Sequence, residues 1–599
     1  MGFFEKLTQP PPRDFPDRLA GEADPSQQVQ RTGLILVGLW LLCLLPRAWM
    51  AWKLEAVCDD AYYYIFVADA LRRGDFAVGF SYLNLNVYPA ILILGHSLGF
   101  DWIVAGKLWG VLVSSLTVLP LFGWVRRLFD DRVAMAACFL YAVHSEMIEC
   151  SVEPIREATF WFFLTLCLYL TCRAVLEIKL RYFALAGLTL VLAQQTRNEG
   201  WFLVVPLLVW AVCRWRGLSS EHLQSGNQSC SAPSHRDFGG ERDSRKHRPH
   251  RGRSRLIAGT LIWLGATPCL LLLVNLTLLS QHSRWEWGRF NHLSIAWQWL
   301  HSANTPLADA NSPASITVFP AENSSAQTGP NQESGMPSPD AERAVSGTAR
   351  LWRFLKELVF TLDPVNLLSM LAGSFVWRHL LLQRDKLPLL LMGSLILSAI
   401  WIYLSHYGVI NGRYFLTLFL IFAPFEGMIL LFFLHVVGRI AHRLARSTSR
   451  RVALVTGYLV LIAAISWTDA LTACHDQRAS HLEIARQIRL TSDSFQSVAS
   501  DFAAIRVGYS TGGTVPTILF DYASLYEQFA DNPPEVLILS QRIIPPDQLS
   551  AALESAARLG LHRLDPSMLP STNCELIVLT HPAPIPVADR NPTKNTRRQ

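Results

Sequence analysis

Charge is what this chain has least of. Only 17% of its 599 residues are Asp, Glu, Lys or Arg, while 51% are hydrophobic and the mean hydropathy is +0.24. Soluble domains carry about 25% charged residues, so the composition excludes a soluble globular protein and reads as an integral membrane protein. Metal-binding cysteine patterns are also missing: the eleven cysteines form no CxxC or comparable spacing. Cys43, Cys138, Cys167 and Cys269 fall inside apolar runs, where cysteine packs as a small apolar residue. No P-loop or GxGxxG is found, since Gly508-Tyr509-Ser510-Thr511-Gly512-Gly513 matches neither and reads as a tight loop. The chain has no internal repeat of useful strength, and so none of the inverted halves that mark many transporters.

What is present is a series of long apolar runs. They lie near 33–52, 102–124, 131–147, 158–176, 182–195, 200–215, 255–279, 365–382, 387–406, 413–436 and 452–469. About 20 apolar residues cross a bilayer, so these make about eleven spans, with 182–195 and 200–215 short enough for one to be re-entrant. The piece 87–99 is shorter still and reads as a juxtamembrane helix. Basic residues cluster on one parity of loops: Arg126, Arg127 and Arg132, then Arg173, Lys179 and Arg181, the tract 235–255, Arg378 to Lys386, and Arg439 to Arg451. The positive-inside rule makes these loops and the N-terminus cytoplasmic, and the C-terminal region extracytoplasmic. The net charge of +6 then belongs to topology and lipid contact, not to nucleic acid. In this topology Cys58, Cys150, Cys474 and Cys574 face an oxidising compartment, with pairing left open. The first run begins too far into the chain for a cleavable signal and reads as a retained anchor.

The resulting organisation is a cytoplasmic tail (1–32), a transmembrane catalytic module (33–216), a basic disordered loop (217–254) and a transmembrane helix (255–280). A disordered extracytoplasmic loop (281–350), further transmembrane helices (351–470), an α/β domain (471–585) and a disordered tail (586–599) follow. Within these loops Ser219–Arg253 is polar, basic and poor in large apolar residues, and Thr305–Ser346 has almost no aromatic content, which leaves too little burial to offset ordering entropy. In the last domain Ile505–Val507, Val536–Leu539 and Leu576–Leu579 read as strands. Pro546–Leu559 reads as a helix with Gly560 beyond its end. The alternation suggests a partly parallel sheet.

Four polar clusters fall on the extracytoplasmic face. Asp59-Asp60-Ala61-Tyr62-Tyr63-Tyr64 follows the first span. Ionisable groups there are functional candidates, although a solvated loop beside an interfacial aromatic belt is the plain alternative. Glu149, Glu153, Arg156 and Glu157 precede a strongly apolar helix, whose dipole would favour Glu157 in any case. Thr196-Arg197-Asn198-Glu199-Gly200 breaks two short apolar runs, either as a turn with a local ion pair or as a site. His406-Tyr407-Gly408 and Gly412-Arg413-Tyr414 stand at the mouth of two late spans, where Arg and Tyr also serve as anchors. Carboxylates and guanidinium groups facing one cavity suit transfer from a lipid-linked phosphate. A carboxylate serves as general base, and an Arg fork holds the phosphate leaving group.

The order of these motifs resembles that of the polytopic GT-C glycosyltransferases that use polyprenyl-phosphate sugars. These include the protein O-mannosyltransferases, the lipid A aminoarabinose transferases and their bacterial relatives. Asp59-Asp60 with the following aromatics resembles the family's acidic first-loop motif, and Asn86-Val87-Tyr88-Pro89 resembles the next loop motif. Glu157 stands where Asp is usual, Thr196–Gly200 resembles Thr-Arg-Pro-Glu-Gly with Asn198 for Pro, and Arg413-Tyr414 resembles an Arg-Tyr-Leu-Leu motif.

The resemblance implies an all-α polytopic GT-C fold carrying a small extracytoplasmic α/β domain, in a multi-pass protein of a bacterial inner membrane. It implies a polyprenyl-phosphate-sugar donor and a lipid, glycan or protein acceptor, besides contact with membrane lipids and none with nucleic acid. The catalytic base would be Asp60 or Asp59, with inversion at the sugar. Substrate contacts would come from Glu157, Arg156, Arg197, Glu199, His406, Arg413, Tyr414, Tyr62 and Tyr63. No cofactor is required; a divalent cation held by Glu157 is an option, with no metal residue assigned. The rival readings are a transporter or flippase, or a non-catalytic binder of polyprenyl phosphate.

Overall fold

The computed structural model describes residues 25–228, 248–278, 347–472, 476–491 and 497–581. Short gaps within these ranges fall at 56, 84–85, 384, 408–411, 445–446, 502–503, 513–516, 520–521, 523–524, 542–543, 545 and 565–575. The chain forms two compact units. One comprises 1–54, 74–320 and 343–473, and the other 55–73, 321–342 and 474–599.

The first unit is helical and integral to the membrane. Among the described residues, six helices are long and apolar enough to span: Gln30–Lys53, Trp102–Leu128, Glu157–Glu177, Leu387–Ser405, Leu416–Arg443 and Thr448–Thr468. Two bent pairs raise the number to eight. The run read as one span at 131–147 breaks at His144, where Asp131–Val143 and Ser145–Val152 meet at 59°. Thr348–Leu362 and Pro364–Val376 meet at 97° across Asp363. A residue before proline is disfavoured in the helical region, and Asp363 adopts φ 61° and caps Val365 N at 3.0 Å. Leu180–Thr196 and Arg248–Leu278 are helical where spans are expected, as is Val87–Ser97 where a juxtamembrane helix is expected. Helices Val204–Gln228 and Arg248–Leu278 enter the stretch read as a basic loop from both ends. Residues 229–247, the loop 281–346 and the tail 586–599 lie outside the described residues.

Capping follows the sequence. Asp101 accepts from Ile103 N, Asp130 from Arg132 and Val133 N, and Asn86 from Tyr88 N, each at a helix start. The core packs Trp124, Tyr141, Phe160, Trp161, Phe415 and Phe419, all fully buried. Arg47 is buried among them. It donates to Cys43 O (3.0 Å), Ala142 O (3.1 Å) and Tyr141 O (3.3 Å), so the carbonyl end of helix Asp131–Val143 stabilises its charge.

The second unit holds helix Asp59–Arg72 and a five-stranded sheet: β1 (Val498–Asp501), β2 (Thr517–Leu519), β3 (Val536–Ser540), β4 (His562–Arg563) and β5 (Leu576–Thr580). Their order is β2-β1-β3-β5-β4, with β1 parallel to β2 and β3, and β5 antiparallel to β3 and β4. All five residues of β3 are buried, which is why it reads as an unbroken apolar run. Leu537 and Leu539 pack one face with Ala552 and Ala556 of helix Pro546–Arg558; Val536 and Ile538 pack the other with Ile484, Ile488 and Val507. Gly560, at φ 77°, ends that helix in the left-handed conformation glycine tolerates.

One strand expectation fails. Ile505–Val507 begins a helix, Ile505–Gly512, and the strand is β1, just before it. Asp501 accepts from Ala504 N (2.8 Å) and from Ser540 N, starting the helix and tying it to β3. Three β-branched or basic residues in a row do not distinguish a short strand from a short helix.

Leu537→Ala should destabilise this unit by about 2–5 kcal/mol, the range for truncating a buried leucine. Limited proteolysis of the full-length protein should show earlier cleavage confined to the C-terminal region.

Candidate functional site

In the membrane unit, three helix openings bring charge together. Glu157 is the first residue of Glu157–Glu177, preceded by Arg156. Arg197 follows the last residue of Leu180–Thr196 and opens the 3-10 turn Asn198–Leu203. Arg413 and Tyr414 lie in the turn Gly412–Tyr414 ahead of Leu416–Leu444.

Arg197 is the centre of this cluster, with 1% of its side chain exposed. Its Nη1 donates to Glu157 Oε1 at 2.6 Å. Its Nε and Nη2 donate to Glu199 at 3.1 and 2.6 Å. Its guanidinium lies 4.9 Å from the Tyr414 ring and 5.8 Å from Phe160, within cation–π range. A planar fork with five donors suits two carboxylates at once, as lysine does not. Arg413 Nε lies 3.5 Å from the same Glu157 Oε1 and is 19% exposed, so it is the looser and more accessible cation.

Burial opposes ionisation of Glu199, but the Arg197 charge and hydrogen bonds outweigh it and hold the carboxyl below its usual range. Burial likewise opposes the charged form of Arg197, while Glu199 and Glu157 raise its pKa above the usual arginine value.

The loops are built to allow this approach. A Cβ on Gly200 would lie 2.6 Å from Gln194 N and 2.7 Å from Ala193 C, so the turn closes on the preceding helix only without a side chain. Asn86 Nδ2 reaches Thr196 O at 3.4 Å, joining the Asn86–Pro89 motif to the Thr196–Gly200 motif. Glu157 fits a divalent cation poorly, because two guanidinium groups already attend its Oε1. Among the described residues no group of three His, Cys, Asp or Glu side chains is placed to hold a metal.

Asp59 and Asp60 belong to the other unit, as the first turn of helix Asp59–Arg72, where the helix dipole favours anions. Asp59 Oδ1 pairs with Arg506 Nη2 at 2.8 Å. Arg506 also donates through Nε to Val57 O (2.9 Å), and its Nη1 lies 3.4 Å from His481 Nδ1. Tyr62 is buried against Tyr509, with ring centroids 5.0 Å apart. Burial, partly offset by Arg506, pushes its hydroxyl up to about 12. Asp60 and Tyr63 are half-buried.

Of the residues singled out in the sequence, Glu157, Arg197, Glu199, Arg413 and Tyr414 therefore share one network, with Arg156 adjacent. Asp59, Asp60, Tyr62 and Tyr63 share the first helix of the other unit. His406 lies in helix Leu387–Tyr407, and its side chain is outside the described residues. Arg506 was not singled out. Its signal was weak: one Arg within an apolar stretch that reads as a strand.

Residues 87–226 match the family model described as dolichyl-phosphate-mannose-protein mannosyltransferase. The matched segment contains Glu157, Arg197 and Glu199. No curated protein matches in sequence. Among solved structures, ArnT from Cupriavidus metallidurans bound to undecaprenyl phosphate is similar, at 13% identity and TM-score 0.49. That similarity covers 94% of this chain and 99% of ArnT. Oligosaccharyltransferase AglB from Archaeoglobus fulgidus, in complex with an inhibitory peptide and a dolichol-phosphate, is similar at 12% identity and TM-score 0.43, covering 91% and 75%. Arabinofuranosyltransferase AftD from Mycobacteria is similar at 12% and 0.34, covering 94% and 40%.

Arg197→Ala would leave Glu157 and Glu199 without their buried partner, and breaking such a pair costs about 3–5 kcal/mol. Thermal unfolding in detergent should show a large loss, whereas a wild-type melting temperature would contradict the clamp. Acid should act through Glu199. Because its folded pKa is depressed, its contribution is complete above the unfolded value of about 4.3 and lost as pH falls through the folded value. Wild-type stability should therefore hold from pH 7 to about pH 5 and fall below it. Glu199→Gln should be less stable at pH 7 and lose less on acidification.

Proposed function

We propose that this protein transfers a monosaccharide from a polyprenyl-phosphate donor to an acceptor hydroxyl, with inversion, on the extracytoplasmic face of a bacterial inner membrane. The observation that carries this reading is the coincidence of two features. The mannosyltransferase-family match spans 87–226, and within it Glu157, Arg197 and Glu199 form the buried network that borders Arg413.

In the reaction the acceptor oxygen attacks the anomeric carbon, and the bond from that carbon to the phosphate oxygen breaks. The acceptor proton passes to Asp60, and polyprenyl phosphate leaves with the bonding electrons. Asp59 pairs with Arg506; Asp60, the carboxylate nearer the aromatic motif, is the base in this reading. Arg413 neutralises the leaving phosphate. Arg197, saturated by Glu157 and Glu199, holds the network without contacting substrate, and Glu157 orients Arg413. Tyr62 packs the helix, leaving Tyr63 as the aromatic for substrate contact. His406 and Arg156 are further candidates for substrate contact in this reading. The basic loops support a cytoplasmic N-terminus through the positive-inside rule.

Transfer should be measured with labelled polyprenyl-phosphate monosaccharides in proteoliposomes containing the acceptor. Asp60→Asn should lower turnover by about 10²–10⁴-fold, the range for a lost general base, while donor binding persists. Arg413→Ala should weaken donor binding about tenfold or more, with Arg413→Lys intermediate, because lysine keeps the charge but not the fork. Undiminished turnover in Asp60→Asn would overturn the assignment.

A further inference from the structure

We infer that Arg506, from the C-terminal α/β region, is a positioning residue for the reaction: it neutralises Asp59 and fixes the start of the helix that presents Asp60. This rests on the assignment of Asp60 as base.

Three observations carry it, all within one unit. Arg506 is 5% exposed, yet its Nη2 lies 2.8 Å from Asp59 Oδ1 and its Nε 2.9 Å from Val57 O. One guanidinium therefore grips both the side chain of the first helical residue and the backbone just ahead of it. Second, the neighbouring contact is aromatic: Tyr62, one turn along, packs on Tyr509, one turn beyond Arg506. The two helices Asp59–Arg72 and Ile505–Gly512 are thus held at two points, one ionic and one apolar. Third, Arg506 is itself braced from behind. Arginine only donates hydrogen bonds, so His481 Nδ1 accepts at 3.4 Å and the ring is neutral with its proton on Nε2. Burial and the Arg506 charge keep His481 neutral down to about pH 4.

Glu55 and Arg486 form an exposed pair 3.5 Å apart in the same unit. Solvent screens such a pair, whereas the Arg506 guanidinium that meets Asp59 is buried. Removing Arg506 takes a positive charge from beside Asp59, which disfavours negative charge at the neighbouring Asp60.

The test is a double-mutant cycle on the full-length protein in proteoliposomes: Arg506→Ala, Asp59→Asn and both together, with Arg506→Lys and Asp60→Asn as controls. Arg506→Ala should lower kcat roughly tenfold or more, as small misplacements of catalytic groups do. Its donor KM should change little, and the acid limb of its kcat–pH profile should move to higher pH. Adding Asp59→Asn should return the limb toward wild type without further loss of kcat. Additive losses, or wild-type kcat with an unmoved limb in Arg506→Ala, would overturn the inference. If Arg506→Ala does not fold, Arg506→Lys and Asp59→Asn decide. Lysine keeps the charge but cannot bridge Asp59 and Val57, so kcat should fall with the limb in place. Asp59→Asn should lower kcat with no upward movement of the limb; wild-type kcat in both would overturn the inference. Full turnover in Asp60→Asn would instead remove the base assignment and leave the Arg506 contact as structural.

Discussion

A single buried guanidinium, that of Arg197, holds the membrane unit's polar cluster together. An isolated charge at that depth is costly, and it is tolerated only because Glu157 and Glu199 supply short, well-aligned acceptors while Tyr414 and Phe160 cover its faces. Three helix openings, remote in sequence, are thereby fixed to one point. Glu157 is the shared member, since the oxygen that accepts from Arg197 also faces Arg413. The position of the accessible cation follows from the inaccessible one.

The same logic separates two carboxylates that differ by one position. Asp59 and Asp60 both open helix Asp59–Arg72 and share its dipole. Arg506 pairs with Oδ1 of Asp59. A region of the α/β type, remote in sequence, thereby touches the start of the helix that carries this two-residue motif. A terminal domain often reads as an appendage for acceptor recognition; here it has a contact with an acidic motif to account for.

Much of this was legible in the sequence, for physical reasons that can be named. Apolar runs of bilayer length announce themselves, and strands β3 and β5 did so because burial on both faces leaves no polar interruption. Thr196–Gly200 was legible as a polar break between apolar runs. The pairing of Glu157 with Arg413 was not, because ion pairs across distant segments leave no local pattern. The bend at His144 was hidden because the residues beyond it continue as a helix, Ser145–Val152, that buries Met147, Ile148 and Val152. The bend at Asp363-Pro364 was encoded, since proline restricts the residue before it, but the preceding helix fell in a stretch without a clear apolar run. Arg506 was missed because a short apolar stretch does not declare its period.

The central claim is that a glycosidic bond to phosphate is broken and a new one made. The most direct measurement follows both fragments of one donor, labelled separately in sugar and lipid, through wild-type proteoliposomes with a panel of sugars and acceptors. The account predicts equimolar release of polyprenyl phosphate and appearance of the sugar on the acceptor with inverted anomeric configuration. Movement of the intact donor between leaflets, with both labels still joined, would contradict it and make the protein a transporter.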